Sequence, residues 1–133
     1  MGRVLLVDDE PNIRRILAFN LRRDEHQILE AAGVEDAQRM LATTDFDVVI
    51  TDQSMPDGNG LTVLSSAQAS DPTVAVIFLT ASVSIELAEE SIRRGAFYFL
   101  TKPFEPDVVR TTVRRACERT SHLRDNMVAK AAV

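Results

Sequence analysis

The sequence predicts an α/β fold in which a five-stranded parallel sheet is doubly wound, with helices on both of its faces. Five short apolar runs, rich in β-branched residues, alternate with five longer stretches in which apolar residues recur at helical spacing. Strands that alternate with helices form parallel sheets, because each helix carries the chain back to the start of the next strand. The 133 residues, 45% of them hydrophobic, suffice for one domain with a sizeable core.

Each element has a local signal in the sequence. We predict strands at residues 3–7, 27–31, 48–51, 74–79 and 97–100, and helices that begin near residues 11, 34, 60, 84 and 106. Pro11 and Pro106 fit the first turn of a helix, where a missing N–H costs nothing. Ser84 is the expected N-cap of the fourth helix, and Asp57 or Asn59 that of the third.

Composition and charge exclude several classes of protein. A net charge of −5 does not favour nucleic-acid binding, which calls for a basic face. The single cysteine, Cys117, excludes an internal disulfide and fits the reducing cytoplasm, which is the location we expect. No apolar run approaches the roughly 18 residues that cross a bilayer. His26 and His122 stand apart in the chain, and we interpret both as surface residues without a metal.

Polar residues stand where four of the predicted strands end. Asp8 and Asp9 follow the first strand, Asp52 the third, Thr80 the fourth and Lys102 the fifth. In open parallel sheets, ligands bind beyond the carboxyl ends of the strands, where the strand order switches. We therefore expect these five side chains to converge on one rim of the sheet.

Three carboxylates on one rim repel one another unless a cation lies between them. Mg²⁺ prefers oxygen ligands and commonly binds one or two carboxylates together with phosphate oxygens. Such a site suits phosphoryl transfer to a carboxylate, with Asp52 as nucleophile and with Lys102 and Thr80 binding phosphate oxygens. Taken singly, each residue has a simpler interpretation. The Asp8–Asp9 pair could cap a helix, Asp52 could lie in a turn, and Lys102 could be solvated.

The motifs at these positions resemble those of receiver domains of two-component response regulators. The first is Val4-Leu5-Leu6-Val7-Asp8-Asp9-Glu10, and the second is the loop from Asp52 to Gly60 with its Met55-Pro56 pair. Leu79-Thr80-Ala81 and Lys102-Pro103-Phe104 are the third and fourth. The resemblance covers residues 3 to 118. It implies a flavodoxin-like or CheY-like (βα)5 fold with strand order 2-1-3-4-5.

The resemblance also implies a metal site and a phosphoacceptor. Asp52 would take a phosphoryl group from the phosphohistidine of a sensor histidine kinase. Asp9 and Asp52 would bind Mg²⁺, or Mn²⁺, directly, and Asp8 would bind it mostly through water. The backbone carbonyl of Ser54 would be a further metal ligand.

Other residues would hold the phosphoryl group and transmit its presence. Lys102, Thr80 and the backbone N–H groups near Ser54 and Ala81 would contact its oxygens. The Lys102–Pro103 peptide bond would be cis, which proline makes accessible. Thr80 and Phe99 would form the switch that reshapes the face of the fourth helix, fifth strand and fifth helix, where an output domain or partner protein binds.

Some features allow a second interpretation. Phe99 could be a static core ring. Tyr98 stands where winged-helix regulators often carry Asp, which weakens any transfer of their salt-bridged dimer to this chain. The rival function is a phosphatase or hydrolase with an Asp nucleophile, but Gln53-Ser54 follow Asp52 where such enzymes carry a second carboxylate. An inert receiver-like scaffold is a third possibility. We expect a switch rather than a turnover enzyme.

The last helix is predicted to run past the receiver domain. We divide the chain into a receiver domain at residues 1–119 and a helical extension or linker at residues 120–133. Apolar residues at alternating spacings of four and three form a short heptad seam: Val109, Val113, Ala116, Thr120, Leu123 and Met127. The seam could lead to an output domain, as in NtrC-like regulators with a central ATPase, and could pair two copies of the chain. A frayed tail is the alternative.

Overall fold

The computed structural model describes residues 1–81 and 84–131, which form a parallel sheet flanked by five helices. The strands are β1 (Arg3–Val7), β2 (Gln27–Ala31), β3 (Val48–Thr51), β4 (Ala75–Thr80) and β5 (Tyr98–Thr101). The helices are α1 (Pro11–Arg22), α2 (Val34–Thr43), α3 (Gly60–Ser70), α4 (Ile85–Arg93) and α5 (Pro106–Ala131). A two-residue β-hairpin pairs Ser54–Met55 with Gly58–Asn59. None of the described helices is both long enough and apolar enough to span a bilayer.

The strands lie in the order β2-β1-β3-β4-β5, and all neighbours are parallel. The predicted fold class and strand order are confirmed. β4 and β5 each begin and end one residue later than predicted, so that Thr80 closes β4 and Thr101 closes β5. Val7 pairs with Thr51 in register, and the residues that follow β1 and β3 therefore leave the sheet side by side.

The sheet separates two apolar cores. Alternate side chains of each strand point to opposite faces, so Leu5 packs in the core beneath α2 and α3, whereas Leu6 packs in the core beneath α1 and α5. Every residue of β3 and β4 is buried. Covering both faces explains why these strands read as continuous apolar runs rather than as alternating ones.

The helix caps agree with the sequence at two positions and differ at one. The side chain of Asn59 accepts a hydrogen bond from Thr62 N and caps α3, and Ser84 caps α4 through Leu87 N. Asp57 does not cap α3. Its carboxylate instead accepts hydrogen bonds from the first turn of α2, because the hairpin turns its tip toward that helix.

The heptad seam of α5 is largely consumed by the domain itself. Val109, Val113, Ala116 and Thr120 are at most 1% exposed, because one stripe of this helix packs against the sheet. These four positions are therefore not available to pair two copies, which is one of the two interpretations that the sequence leaves open. Helical spacing cannot distinguish a stripe that packs on its own sheet from one that packs on a second chain.

The prediction that His26 lies on the surface is wrong. It is buried rather than on the surface, and its Nδ1 accepts a hydrogen bond from the backbone N–H of Gly2. A polar residue in the loop between α1 and β2 carries no local signal of burial, which here comes from packing between distant parts of the chain.

Candidate functional site

The strand ends fix the backbone of one polar rim. Asp52 N donates to the carbonyl oxygen of Val7 at 2.9 Å, and Asp8 N donates to that of Ala31 at 3.1 Å. Both bonds continue the parallel hydrogen-bond ladder by one residue beyond the sheet. Lys102 N likewise donates to the carbonyl oxygen of Thr80 at 2.9 Å. The positions of the three side chains therefore follow from strand register.

Lys102 connects the carboxylates of this rim. Its Nζ lies 2.8 Å from Asp8 Oδ2, 3.1 Å from Asp52 Oδ2 and 3.3 Å from Glu10 Oε1. The lysine side chain is only 10% exposed, and those of Asp8 and Asp52 are 4% and 8% exposed. The peptide bond between Lys102 and Pro103 is cis, as expected from the resemblance.

Burial and charge oppose each other in this group. Burial raises the pKa of Asp8 above its usual value, and the hydrogen bond from Lys102 offsets only part of that effect. Burial alone would lower the pKa of Lys102, but hydrogen bonds to Asp8 and Asp52 outweigh it and raise the pKa above the ordinary range. Lys102 is therefore charged at neutral pH. One ammonium among three carboxylates leaves an excess of negative charge.

The arrangement of oxygens fits a divalent cation. Asp8, Glu10 and Asp52 each offer a carboxylate oxygen, and these atoms lie within 4.8 Å of one another. Hard cations such as Mg²⁺ take oxygen ligands of this kind. Asp9 is not a member of this group among the described residues, and it is exposed. Its role as a direct ligand stays a prediction.

Glu10 is the residue that the sequence analysis missed. A turn brings it back to the rim, since Glu10 N donates to Asp8 Oδ1 at 2.9 Å. The signal was present in the third acidic residue after β1, but an exposed glutamate in a turn has no local feature that distinguishes it from a solvated one.

Asp52 is held from below by the loop that follows it. Its Oδ1 accepts hydrogen bonds from Gln53 N at 2.6 Å and from Ser54 N at 3.4 Å. The loop returns to the backbone of Asp52 at Gly60, where a Cβ atom would lie 2.5 Å from the carbonyl oxygen of Asp52. Only glycine permits this close approach, so the residue at position 60 determines how near the loop lies to the backbone of Asp52.

The predicted switch residues lie on the two neighbouring strands β4 and β5. Thr80 is fully buried at the end of β4. Phe99 is half-buried on β5, and its ring stacks on that of Phe78 with centroids 5.9 Å apart. Ala81 follows Thr80 and is exposed. Phe99 therefore packs against the core in this structure.

The chain resembles known proteins over most of its length. The model of the response regulator receiver domain family matches residues 4–114. The response regulator protein PilR of Pseudomonas aeruginosa is 38% identical over 114 residues, which are 86% of this chain and 26% of that protein. The transcriptional regulatory protein GlrR of Escherichia coli is 31% identical over 132 residues, 99% of this chain and 30% of that protein.

A solved structure of a receiver domain has the same fold as this chain. The response regulator receiver domain protein from Clostridium thermocellum superimposes with a TM-score of 0.85 at 30% identity, covering 92% of this chain and 99% of that one. The chain spans about a quarter of the length of the curated relatives it matches. With the fold, the strand order and the acidic rim in place, the chain belongs to the receiver domain family of two-component response regulators.

Proposed function

We propose that Asp52 accepts a phosphoryl group from the phosphohistidine of a sensor histidine kinase. The observation that carries this proposal is the buried contact of Lys102 with both Asp8 and Asp52. A carboxylate oxygen of Asp52 attacks the phosphorus, the P–N bond to the histidine breaks, and the acyl phosphate forms as the imidazole leaves. Asp52 is well suited because backbone N–H groups already fix one of its oxygens.

The negative rim is proposed to bind Mg²⁺, or Mn²⁺, through Asp8, Asp9, Asp52 and the carbonyl of Ser54. The metal would supply charge neutralisation for the phosphoryl oxygens. Glu10 joins this ligand set as a candidate because of its place in the oxygen cluster. Lys102 can exchange a carboxylate for a phosphoryl oxygen without leaving the rim, because its Nζ already touches three acceptors.

We propose that the phosphoryl group is then sensed by Thr80. A hydrogen bond from its hydroxyl to a charged oxygen is worth about 1.5–3 kcal/mol. If that energy acts on only one of two states, it changes their ratio about tenfold to a hundredfold. N–H groups near Ser54 and Ala81 would contact the same oxygens. Movement of Thr80 would free space into which Phe99 can turn.

The face of α4, β5 and α5 is the proposed output surface. It exposes large apolar side chains, with Ile85 75%, Tyr98 51% and Val108 46% exposed. Residues of β5 and α5 also line a shallow cleft of about 420 Å³ on this face. Tyr98 and Val108 both line this cleft, and adjoining exposed apolar side chains are typical of protein–protein contact surfaces. An output domain or a partner protein is the proposed occupant.

The relatives are longer than this chain, and we propose that it serves an NtrC-like regulator of transcription in the cytoplasm. The chain itself is not proposed to bind nucleic acid or membrane. We retain residues 1–119 as the receiver domain and 120–133 as the extension, with one qualification. Thr120 and Arg124 bond to the loops before β3 and β4, so the first turn of the extension is part of the folded body. Pairing of two copies would have to use the exposed end of α5, where Met127 is 53% exposed.

Phosphorylation of the 133-residue chain by acetyl phosphate with Mg²⁺ tests the proposal. We expect the intact mass to increase by one phosphoryl group, and this increase to be absent in Asp52→Asn and after chelation of the metal. Asp107→Asn is the matched control, because it changes the same charge at an exposed carboxylate. A wild-type chain whose mass does not increase would indicate an inert scaffold. Repeated turnover of a small phosphate ester would instead favour the hydrolase.

A further inference from the structure

We infer that Asp57 is a positioning residue for phosphoryl transfer. Its carboxylate ties the tip of the hairpin that follows Asp52 to the first turn of α2, and so fixes the loop that carries Ser54. This inference rests on the proposed function, because a positioning role requires that the site bind metal and accept a phosphoryl group. Asp57 itself is not one of the proposed metal or phosphoryl ligands.

The tether consists of two hydrogen bonds across the fold. Val34 N donates to Asp57 Oδ1 and Glu35 N donates to Asp57 Oδ2, each at 3.0 Å. The first N–H groups of a helix have no partner within the helix. The N-cap residue of α2 is Gly33, which has no side chain to satisfy them. The cap therefore comes from a loop more than twenty residues away.

Two glycines allow the hairpin tip to approach α2. A Cβ atom on Gly33 would lie 2.7 Å from Asp57 Oδ1, and one on Gly58 would lie 2.9 Å from a methyl group of Val34. Gly58 also has a φ of +157°, which L side chains rarely adopt. The close contact between tip and helix thus depends on the absence of side chains on both partners.

The base of the same hairpin belongs to the acceptor site. Ser54 N donates to Asp52 Oδ1, Ser54 pairs with Asn59 across the hairpin, and Gly60 N donates to the carbonyl oxygen of Gln53 at 2.9 Å. The hairpin is therefore bound at its base to Asp52 and at its tip to α2. Releasing the tip removes one of these two anchors. The backbone at Ser54, which would contact metal and phosphate, is then held only by the bonds at the base of the hairpin and moves more relative to Asp52.

A simple capping role makes a different prediction. If Asp57 only stabilised α2, its removal would lower the stability of the fold and leave the acceptor loop unchanged. A positioning role requires that the loop become more mobile and that the site bind its cation more weakly. The two roles are separated by comparing stability, metal affinity and local hydrogen exchange in the same variants.

The variants are Asp57→Ala, Gly33→Ala and their combination, in the full chain. Asp36→Ala is the control, because Asp36 is an acidic residue of the same helix turn that contacts Ala32 and Arg39 rather than the hairpin. We expect Asp57→Ala to increase the rate of amide hydrogen exchange at residues 53–59 about fivefold in metal-free protein, which is the change expected from the loss of one helix cap. Mg²⁺ affinity, measured by calorimetry, should fall by a similar factor.

The double variant provides the internal test. Because Gly33→Ala displaces the same carboxylate that Asp57→Ala removes, their effects on exchange and on Mg²⁺ affinity should not add. Asp36→Ala should leave both quantities at wild-type values. If Asp57→Ala leaves hydrogen exchange and Mg²⁺ affinity unchanged, or if Asp36→Ala changes both as much as Asp57→Ala does, the inference about Asp57 is wrong while the proposed function stands. A wild-type chain that takes up neither Mg²⁺ nor phosphate overturns the proposed function and this inference with it.

Discussion

Replacing Lys102 by methionine should destabilise the metal-free domain strongly. Lys102 is the cation that contacts Asp8, Asp52 and Glu10. The two aspartates are buried, and in the variant they would face each other without a counter-charge. The side chain that replaces the lysine has similar length and fills the same space, so the loss reports charge rather than packing.

The expected magnitude follows from burial. Removing one partner of a buried ion pair costs about 3–5 kcal/mol, because the other charge is left uncompensated. Asp8 can relieve part of this cost by taking up a proton, since burial already raises its pKa. We therefore expect a loss of about 3 kcal/mol at pH 7, at the lower end of that range.

Both pH and Mg²⁺ should reduce this loss. The raised pKa of Lys102 means that its contribution is fully present below its ordinary value of 10.5 and disappears only above its folded value. At neutral pH the wild type therefore has the full benefit. As the pH falls through the raised pKa of Asp8, that carboxylate becomes neutral in both proteins and the difference between them shrinks. A bound divalent cation should reduce it in the same way, by supplying the missing positive charge.

Urea unfolding followed by circular dichroism, with and without Mg²⁺ between pH 4 and pH 8, measures these effects. Arg39→Met is the control, because it removes the same charge from a side chain that is 70% exposed. Exposed ion pairs contribute at most about 1 kcal/mol. Equal stability of Lys102→Met and wild type at pH 7, or a deficit that Mg²⁺ leaves unchanged, would refute the electrostatic account of the rim.

Two further predictions concern α5. Arg124 donates to Thr73 Oγ1, to Asp71 Oδ2 and to the carboxylate of Asp47. Because its side chain is 35% exposed, Arg124→Ala should lower the free energy of unfolding by only about 1–2 kcal/mol. Urea titration would detect this loss, and an unchanged unfolding midpoint would contradict it. Burial raises the pKa of the Cys117 thiol to about 11. Alkylation by iodoacetamide at pH 8 should therefore be about a hundredfold slower in the folded chain than in urea, and equal rates would show an accessible thiolate.

Features carried by local sequence were predictable. Apolar runs located the strands to within one residue, and parallel strands necessarily bring the residues at their carboxyl ends to one edge. The direction of the strands alone predicts that Asp8, Asp52 and Lys102 lie together.

Features that depend on distant partners were not predictable. Asp57 has the composition of an N-cap for the helix that follows it, yet it caps a helix that precedes it, because the path of the hairpin decides which N–H groups it meets. Glu10 returns to the rim through a turn geometry that its residue type does not specify. The stripe on α5 satisfied a heptad, although its contacts are with the sheet of the same chain.

The length of α5 has a geometric consequence for anything joined to its end. The helix continues without interruption from the body of the domain to Ala131, and Arg124 fixes its rotation about its own axis. Each residue of an α-helix turns the chain by about 100° and advances it by about 1.5 Å. Inserting one residue after Arg124 would therefore swing a downstream module to another side of the axis, whereas inserting seven would nearly restore its original bearing. The orientation of such a module would be encoded in residue count as much as in residue type.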